Sequence, residues 1–325
     1  MPAFIPSPPV SVFSLGPLTI HIYSLCLIAA IVLAWVWAGK RAESRGMDPD
    51  TYFNLAFTAV VSGIIGARIY HVLTEHDRYF NAEHWVNIFK VWNGGIGIIG
   101  AITGGALGVW AFCRIKKLNV PAVLDVFAPA LPAAQAVGRL GNWVNQEVFG
   151  EPTELPWGLE IDRVHRPAGY EEFATFHPTF IYEGLWNVLG VGVLLLLERK
   201  LKFGKGKLFS AYVMWYTFGR FFIELIRIDP VNAPAGMRIN NWATALIFVA
   251  AAVLLQVQLL KFPGSDAHPF AVVGDGDSAG APETADDEAK EHELKRPMRD
   301  QWQASIRKIA TDRAVAAIGN NSADD

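Results

Sequence analysis

The chain has 325 residues, 52% of them hydrophobic, with 11 tryptophans, 20 phenylalanines and a formal net charge of −3. Such a composition is too apolar and too aromatic for an ordinary soluble domain and points to a membrane protein. The near-neutral balance gives no basis for a nucleic-acid partner, and two cysteines, Cys26 and Cys113, each inside an apolar run, exclude a disulfide framework and read as small core residues.

Lys40 is the first positive charge, so the N-terminus lacks the basic region that precedes the apolar core of a cleavable signal peptide. The first apolar segment is therefore expected to be retained. A bilayer core of about 30 Å needs about 20 mostly apolar residues per helix. Seven segments qualify in chain order, at roughly 18–38, 51–73, 94–113, 121–143, 179–197, 208–228 and 241–260. The fourth is interrupted by Asp125, Pro129, Pro132, Gln135 and Arg139, which a span tolerates only when packed inside a bundle.

Loop charges give the expected orientation. Lys40, Arg41, Arg45, Arg114, Lys116, Lys117, Arg199, Lys200, Lys202, Lys205 and Lys207 fall in one alternate set of loops. Only Arg78, Lys90, Arg163, Arg166 and Arg238 fall in the other, spread over longer loops. The positive-inside rule puts the first set in the cytoplasm, with the N-terminus outside and the C-terminus inside. The expected fold class is an all-α polytopic membrane protein with seven transmembrane helices, occupying residues 1–262.

After Leu260 the composition turns to Gly, Asp, Glu, Ala and Pro, with nine acids against one lysine between Pro263 and Glu293. Residues 263–325 thus read as a largely disordered cytoplasmic tail. Within it, Trp302, Ile306 and Ile309 fall at helical spacing beside Arg299, Arg307 and Lys308. Over 298–318 that pattern fits either a solvated, marginal helix or a short amphipathic helix on the anionic leaflet.

Ionisable residues at membrane depth mark a site by default. The run from Gly138 to Gly150 brings Arg139, Asn142, Asn145 and Glu147 to the end of an apolar segment. With the orientation above, His21 and Tyr23, Arg68, Arg139, Asn93 with Gly94 and Gly95, and His177 all come to the outer side. Tyr216, Arg220, Glu224 and Arg227 form one stripe along the sixth segment toward the same side. Duller readings exist for each: Arg220 with Glu224 as a structural ion pair, Arg68 paired with Glu147 or Glu224 to lock the bundle, His21 and Tyr23 as interfacial belt residues, and the glycines from Gly94 to Gly108 as close-packing devices. Asp125 lies toward the opposite side and reads as structural or as a helix cap. Three arginines against two nearby carboxylates leave excess positive charge, and in the outer leaflet the abundant missing anion is a lipid phosphate.

The run Gly138-Arg139-Leu140-Gly141-Asn142 through Gly150 also resembles the signature of the prolipoprotein diacylglyceryl transferases. Further likenesses follow in the same order: Ile20-His21-Ile22-Tyr23, Gly66-Ala67-Arg68, Trp92-Asn93-Gly94-Gly95, His177-Pro178 with Tyr182-Glu183, and Tyr216 with Gly219-Arg220, Glu224 and Arg227. Together they span about residues 15–260. The resemblance implies a bacterial inner-membrane enzyme that moves diacylglyceryl from phosphatidylglycerol to the lipobox cysteine of a prolipoprotein, forming a thioether and releasing glycerol phosphate. By this likeness Arg139 binds the lipid phosphate, Arg220 is essential, and Tyr23, Asn142 and Glu147 stand at functional positions; Asn145, Arg68, Tyr216, Glu224, Arg227 and His177 complete the expected substrate site. Many members carry a histidine just after the Trp-x-Gly-Gly element as the proposed base, where this chain has Ile99, which cannot accept a proton. The base is then Tyr23, His21, His177 or Glu147, or none is needed because a thiol ionises near an arginine cluster. No cofactor and no metal are expected, since no ligand-spaced cluster of His, Cys and carboxylates appears. The competing reading is a transporter or flippase for an anionic lipid.

Overall fold

In hydrocarbon every backbone N–H and C=O must find a partner within its own segment, so long apolar runs become helices. The computed structural model describes residues 4–16, 18–80, 85–90, 94–95, 97–201, 205–229, 234–262 and 269–270. Two short strands, β1 (Val12–Leu15) and β2 (Leu18–His21), pair antiparallel and lead into α1 (Ile22–Glu43) and α2 (Pro49–Thr74). A single-turn α3 (His76–Tyr79) is followed by α4 (Ile98–Ile115), α5 (Val120–Phe127) and α6 (Ala130–Val144). The strands β3 (Leu159–Glu160) and β4 (Thr175–Phe176) pair antiparallel before α7 (Thr179–Leu201), α8 (Lys207–Leu225) and α9 (Ile239–Lys261).

Five helices, α1, α2, α4, α7 and α9, are long and apolar enough to cross a membrane, and α5 with α6, bent by 43°, makes a sixth if counted as one crossing. The protein is therefore polytopic. Helix α8 coincides with the remaining predicted segment but is not among those that meet this test, since Arg220 and Glu224 dilute it. Two of the departures from the expected boundaries have a visible cause. The first helix starts at Ile22, because residues 18–21 pair with 12–15 across a turn in which Gly16 takes φ +61°. The fourth segment breaks at Ala128–Pro129, where proline supplies no N–H to continue the ladder.

Helix faces separate by chemistry. On α7, Glu183, Asn187 and Leu194 are buried while Leu185, Leu189 and Leu196 are exposed, the outward row being what lipid would cover. Helices α2 and α4 approach closely because glycines meet: a Cβ on Gly104 would stand 2.9 Å from the Gly66 Cα. Helices α7 and α8 are clamped by Trp186 and Trp215, stacked at 4.2 Å, each indole donating to the other's carbonyl at 3.0 Å. Asp125 takes the N–H groups of Gly206 and Phe209, both at 2.9 Å, and so caps the start of α8, one of its two expected roles.

One apolar cluster gathers Leu55, Cys113, Val123 and Val126, confirming Cys113 as a core residue; Cys26 is half-buried. Another, of Phe149, Leu159, Ile161, Phe176 and Phe180, lies beneath the segment between α6 and α7, where Ile5 also pairs with the backbone of Gly158 and Glu160. Phe270 is buried in the first cluster, and its carbonyl accepts from Asn119 N–H at 2.8 Å. The compact unit accordingly runs to Val272, past the composition change at residue 263. The predicted tail beyond it, including the amphipathic stretch at 298–318, lies outside the described residues, as do Trp92 and Asn93.

Candidate active site

The signature run ends α6 and turns away from it through a loop fixed at several points. Gln146 and Val148 hold φ of +52° and +59°, conformations that side-chain-bearing residues rarely adopt. What holds them is explicit: the Gln146 amide exchanges two hydrogen bonds with Asp162, at 2.6 and 2.7 Å, and the Thr179 hydroxyl donates to the Val148 carbonyl. Gly150 closes the run where a Cβ would lie 2.7 Å from the Ile226 carbonyl, so only glycine lets the loop reach the end of α8.

At this end of the bundle a chain of ion pairs links four segments. Arg139 of α6 donates to Glu183 of α7 and to the Asn142 amide oxygen at 3.2 Å. Glu183 also accepts from Arg220 of α8 at 2.9 Å, with the Tyr216 hydroxyl at 3.5 Å. Arg220 donates its other terminal nitrogen to Glu224 at 2.6 Å, and Glu224 accepts further from Arg238 at 2.9 Å and Asn240 at 2.8 Å. Arg227 and Arg238 then share Asp229, at 2.7 and 2.9 Å. Glu183 and Glu224 are fully buried, at 1% and 0% exposure. On the other flank Asn142 and Asn145 donate to Glu147 at 2.8 and 3.5 Å, which ties Glu147 to Arg139 through an amide. The Tyr23 ring of α1 lies against Gly141, whose Cβ would stand 2.5 Å from its Cδ2.

The expected excess of positive charge is corrected by this geometry. Four guanidiniums in the ion-paired chain face three carboxylates, and Glu147 makes four in the hydrogen-bonded network. Glu183, Asp229 and Arg238 are the members that the charge pattern of the sequence leaves out. The signal for Glu183 was present in the sequence, since it is an acid inside an apolar run and such a residue needs a partner. Arg238 and Asn240 were hidden by their place in a loop and a helix start.

Three expected residues stand apart. Arg68 pairs with neither Glu147 nor Glu224; it donates to the carbonyls of Ile88, Gly94, Gly95 and Asn87, with its guanidinium 5.1 Å from the Tyr79 ring, and so fastens the segment before α4. His177 meets Tyr182 at 3.1 Å, and Tyr182 accepts from Trp157 at 3.0 Å. His21 is exposed at the end of β2, and its side chain makes no cap bond to α1. Ile99 is exposed on α4. Asp229, in the loop after α8, is half-buried, which raises its pKa, but its bonds and proximity to Arg227 and Arg238 outweigh this and hold it below the usual carboxylate range.

Apolar helices around a buried arginine–carboxylate network define a polytopic membrane protein with a polar site at one end of the bundle. A family model described as prolipoprotein diacylglyceryl transferase matches residues 10–257. The chain is 49% identical over 265 residues to the phosphatidylglycerol–prolipoprotein diacylglyceryl transferase of Cutibacterium acnes, covering 81% of this chain and 90% of that protein. It is 47% identical to the Frankia alni protein of the same name, over 78% of this chain and 67% of that one. To transferase 2 of Streptomyces coelicolor it is 44% identical, with coverage of 81% and 83%. The chain belongs to the prolipoprotein diacylglyceryl transferase family.

Proposed function

We propose that the protein transfers diacylglyceryl from phosphatidylglycerol to the lipobox cysteine of prolipoprotein signal peptides, in the bacterial inner membrane, with its site open to the outer leaflet. Seven crossings, N-terminus outside and C-terminus in the cytoplasm, complete this reading; residues 1–262 carry the catalytic domain. The observation that carries it is the convergence of Arg139 from α6 and Arg220 from α8 on one point, in a chain of this family. Two guanidiniums that each direct a charged N–H donor at a single position suit a phosphate, whose oxygens accept several such bonds.

Transfer is a displacement at the glycerol carbon that bears the phosphoester. The cysteine sulfur forms its bond to that carbon as the carbon–oxygen bond breaks, and the electron pair goes to the phosphate oxygen. Arg139 and Arg220 stabilise the charge growing on that oxygen, worth about 3 kcal/mol per well-placed donor. Asn142 orients Arg139, and Glu147 holds Asn142 and Asn145. Arg227 and Arg238 fix Glu224, which positions Arg220. Tyr23, packed on Gly141, flanks the same point. Neither His21 nor His177 joins this network; Glu147, one of the expected bases, does, and it takes the thiol proton and passes it to the departing phosphate.

The test is direct. Purified protein in phosphatidylglycerol vesicles should add the mass of a diacylglyceryl group to a peptide bearing a lipobox cysteine, and not to one with serine in its place. An unmodified cysteine peptide in the presence of inserted, folded protein would overturn the reading.

A further inference from the structure

The seat proposed for the phosphate is already occupied by an anion of the protein. Glu183 offers one oxygen to Arg139 and the other to Arg220 at 2.9 Å, using the donors a phosphate would need. From the elements packed around it, Glu183 faces Arg139 of α6 and Tyr216 and Arg220 of α8, with Glu224 beyond Arg220. Two buried anions cannot share that seat; when like charges are forced together, one takes a proton.

One helical turn along the same face of α7 stands Asn187. It is fully buried, and neither its amide oxygen nor its amide nitrogen has a hydrogen-bond partner. Residues four apart on a helix are neighbours, so the Glu183 side chain reaches this amide by a change of rotamer. A carboxylate would repel the amide oxygen. A neutral carboxylic acid matches the amide in full, donating its O–H to the oxygen and accepting an N–H at its carbonyl. On the facing helix Gln135, four residues before Arg139, also has an unpartnered buried oxygen while its nitrogen donates to Tyr212 at 3.0 Å. The same depth thus holds a neutral polar layer beneath the charged one.

We infer that Glu183 keeps the phosphate seat in the resting enzyme and, on lipid binding, is displaced as a neutral acid onto the amide of Asn187. The inference rests on the phosphatidylglycerol reading above. One proton enters from water as the phosphate takes the two arginines. It leaves when glycerol phosphate departs and Glu183 returns, so none is consumed over a cycle. The thiol proton is a second one, which Glu147 takes and the departing glycerol phosphate carries away. Glu183 is on this view a positioning residue that preorganises both guanidiniums before substrate arrives.

Titration calorimetry of the full chain with dihexanoyl phosphatidylglycerol, run near pH 7 in two buffers of different ionisation heat, reads affinity and proton number together. The wild type should take up close to one proton per lipid bound. Glu183→Gln should bind without uptake, and Asn187→Leu should show reduced uptake with affinity weakened about tenfold, the scale of one or two lost hydrogen bonds between neutral groups. Lipid binding by the wild type with no linked proton would overturn the inference while leaving the phosphatidylglycerol reading standing. So would undiminished uptake in Glu183→Gln or, should that variant fail to fold, in Asn187→Leu. Absence of lipid binding by folded wild-type protein would overturn both.

Discussion

Replacing Arg220 by lysine preserves its charge and removes its reach. Arg220 spans two carboxylates on two helices with separate nitrogens, 2.9 Å to Glu183 and 2.6 Å to Glu224, and it is only 13% exposed. A lysine ammonium is one point on a flexible stem and can satisfy one of the two. Losing one hydrogen bond to a charged group costs about 1.5–3 kcal/mol of stability, a fall in melting temperature of roughly 3–12 °C. The effect on turnover should be larger in proportion, because one guanidinium face is lost from the oxygen that gains charge in the transition state. Removal of a single such donor costs about 100-fold or more. The assay is initial-rate transfer to a lipobox peptide in phosphatidylglycerol vesicles, with melting followed on the same preparation. A lysine variant that turns over within a few-fold of wild type would reduce Arg220 to a structural ion pair.

Gly104→Val should force α2 and α4 apart, since even a Cβ would lie 2.9 Å from the Gly66 Cα; overpacking of this kind costs about 1–3 kcal/mol or more, read as a lower melting temperature. Asp229 has its pKa depressed in the folded protein, so its stabilising contribution is present above its unfolded value of about 3.9 and is lost as pH falls through the lower folded value. The Asp229→Asn variant should therefore show a flatter loss of melting temperature below about pH 4 than the wild type. Ending the chain at Val272 should leave specific activity within a few-fold, whereas ending it at Phe262 also removes Phe270 from the core and should lower the melting temperature. Equal melting temperatures for the two truncations would contradict the packing assigned to Phe270.

Much of this architecture was legible in the sequence because hydrocarbon admits few solutions. An apolar run such as that of α9 can only become a helix, and six predicted segments each coincide with one while the fourth is covered by two. The interruptions at Pro129 and Gly16 were harder to read, since a proline or glycine shows where a helix can break but not whether packing repairs it. The site divided similarly. Arg139, Asn142, Glu147, Tyr216, Arg220, Glu224 and Arg227 were recognisable as polar groups in apolar surroundings, and they meet in one network. Arg68 looked the same in sequence and serves the backbone of the segment before α4, because carbonyls that would accept an arginine leave no signature in side-chain pattern. Glu183 was visible as part of a Tyr-Glu pair, but its place between two arginines depends on the crossing of α6, α7 and α8, which periodicity does not give.

In the proposed mechanism the arginine pair holds the phosphate of a lipid whose diacylglyceryl portion is transferred by direct displacement. The most direct test follows phosphatidylglycerol carrying one label in its headgroup glycerol and another in its acyl chains, mixed with purified protein and a lipobox cysteine peptide. Headgroup label should appear as free glycerol phosphate in a one-to-one ratio with acyl label bound to the peptide sulfur, and Arg139→Ala should abolish both while remaining folded. Acyl label reaching the peptide without release of glycerol phosphate, or intact lipid merely exchanged between leaflets, would contradict that mechanism.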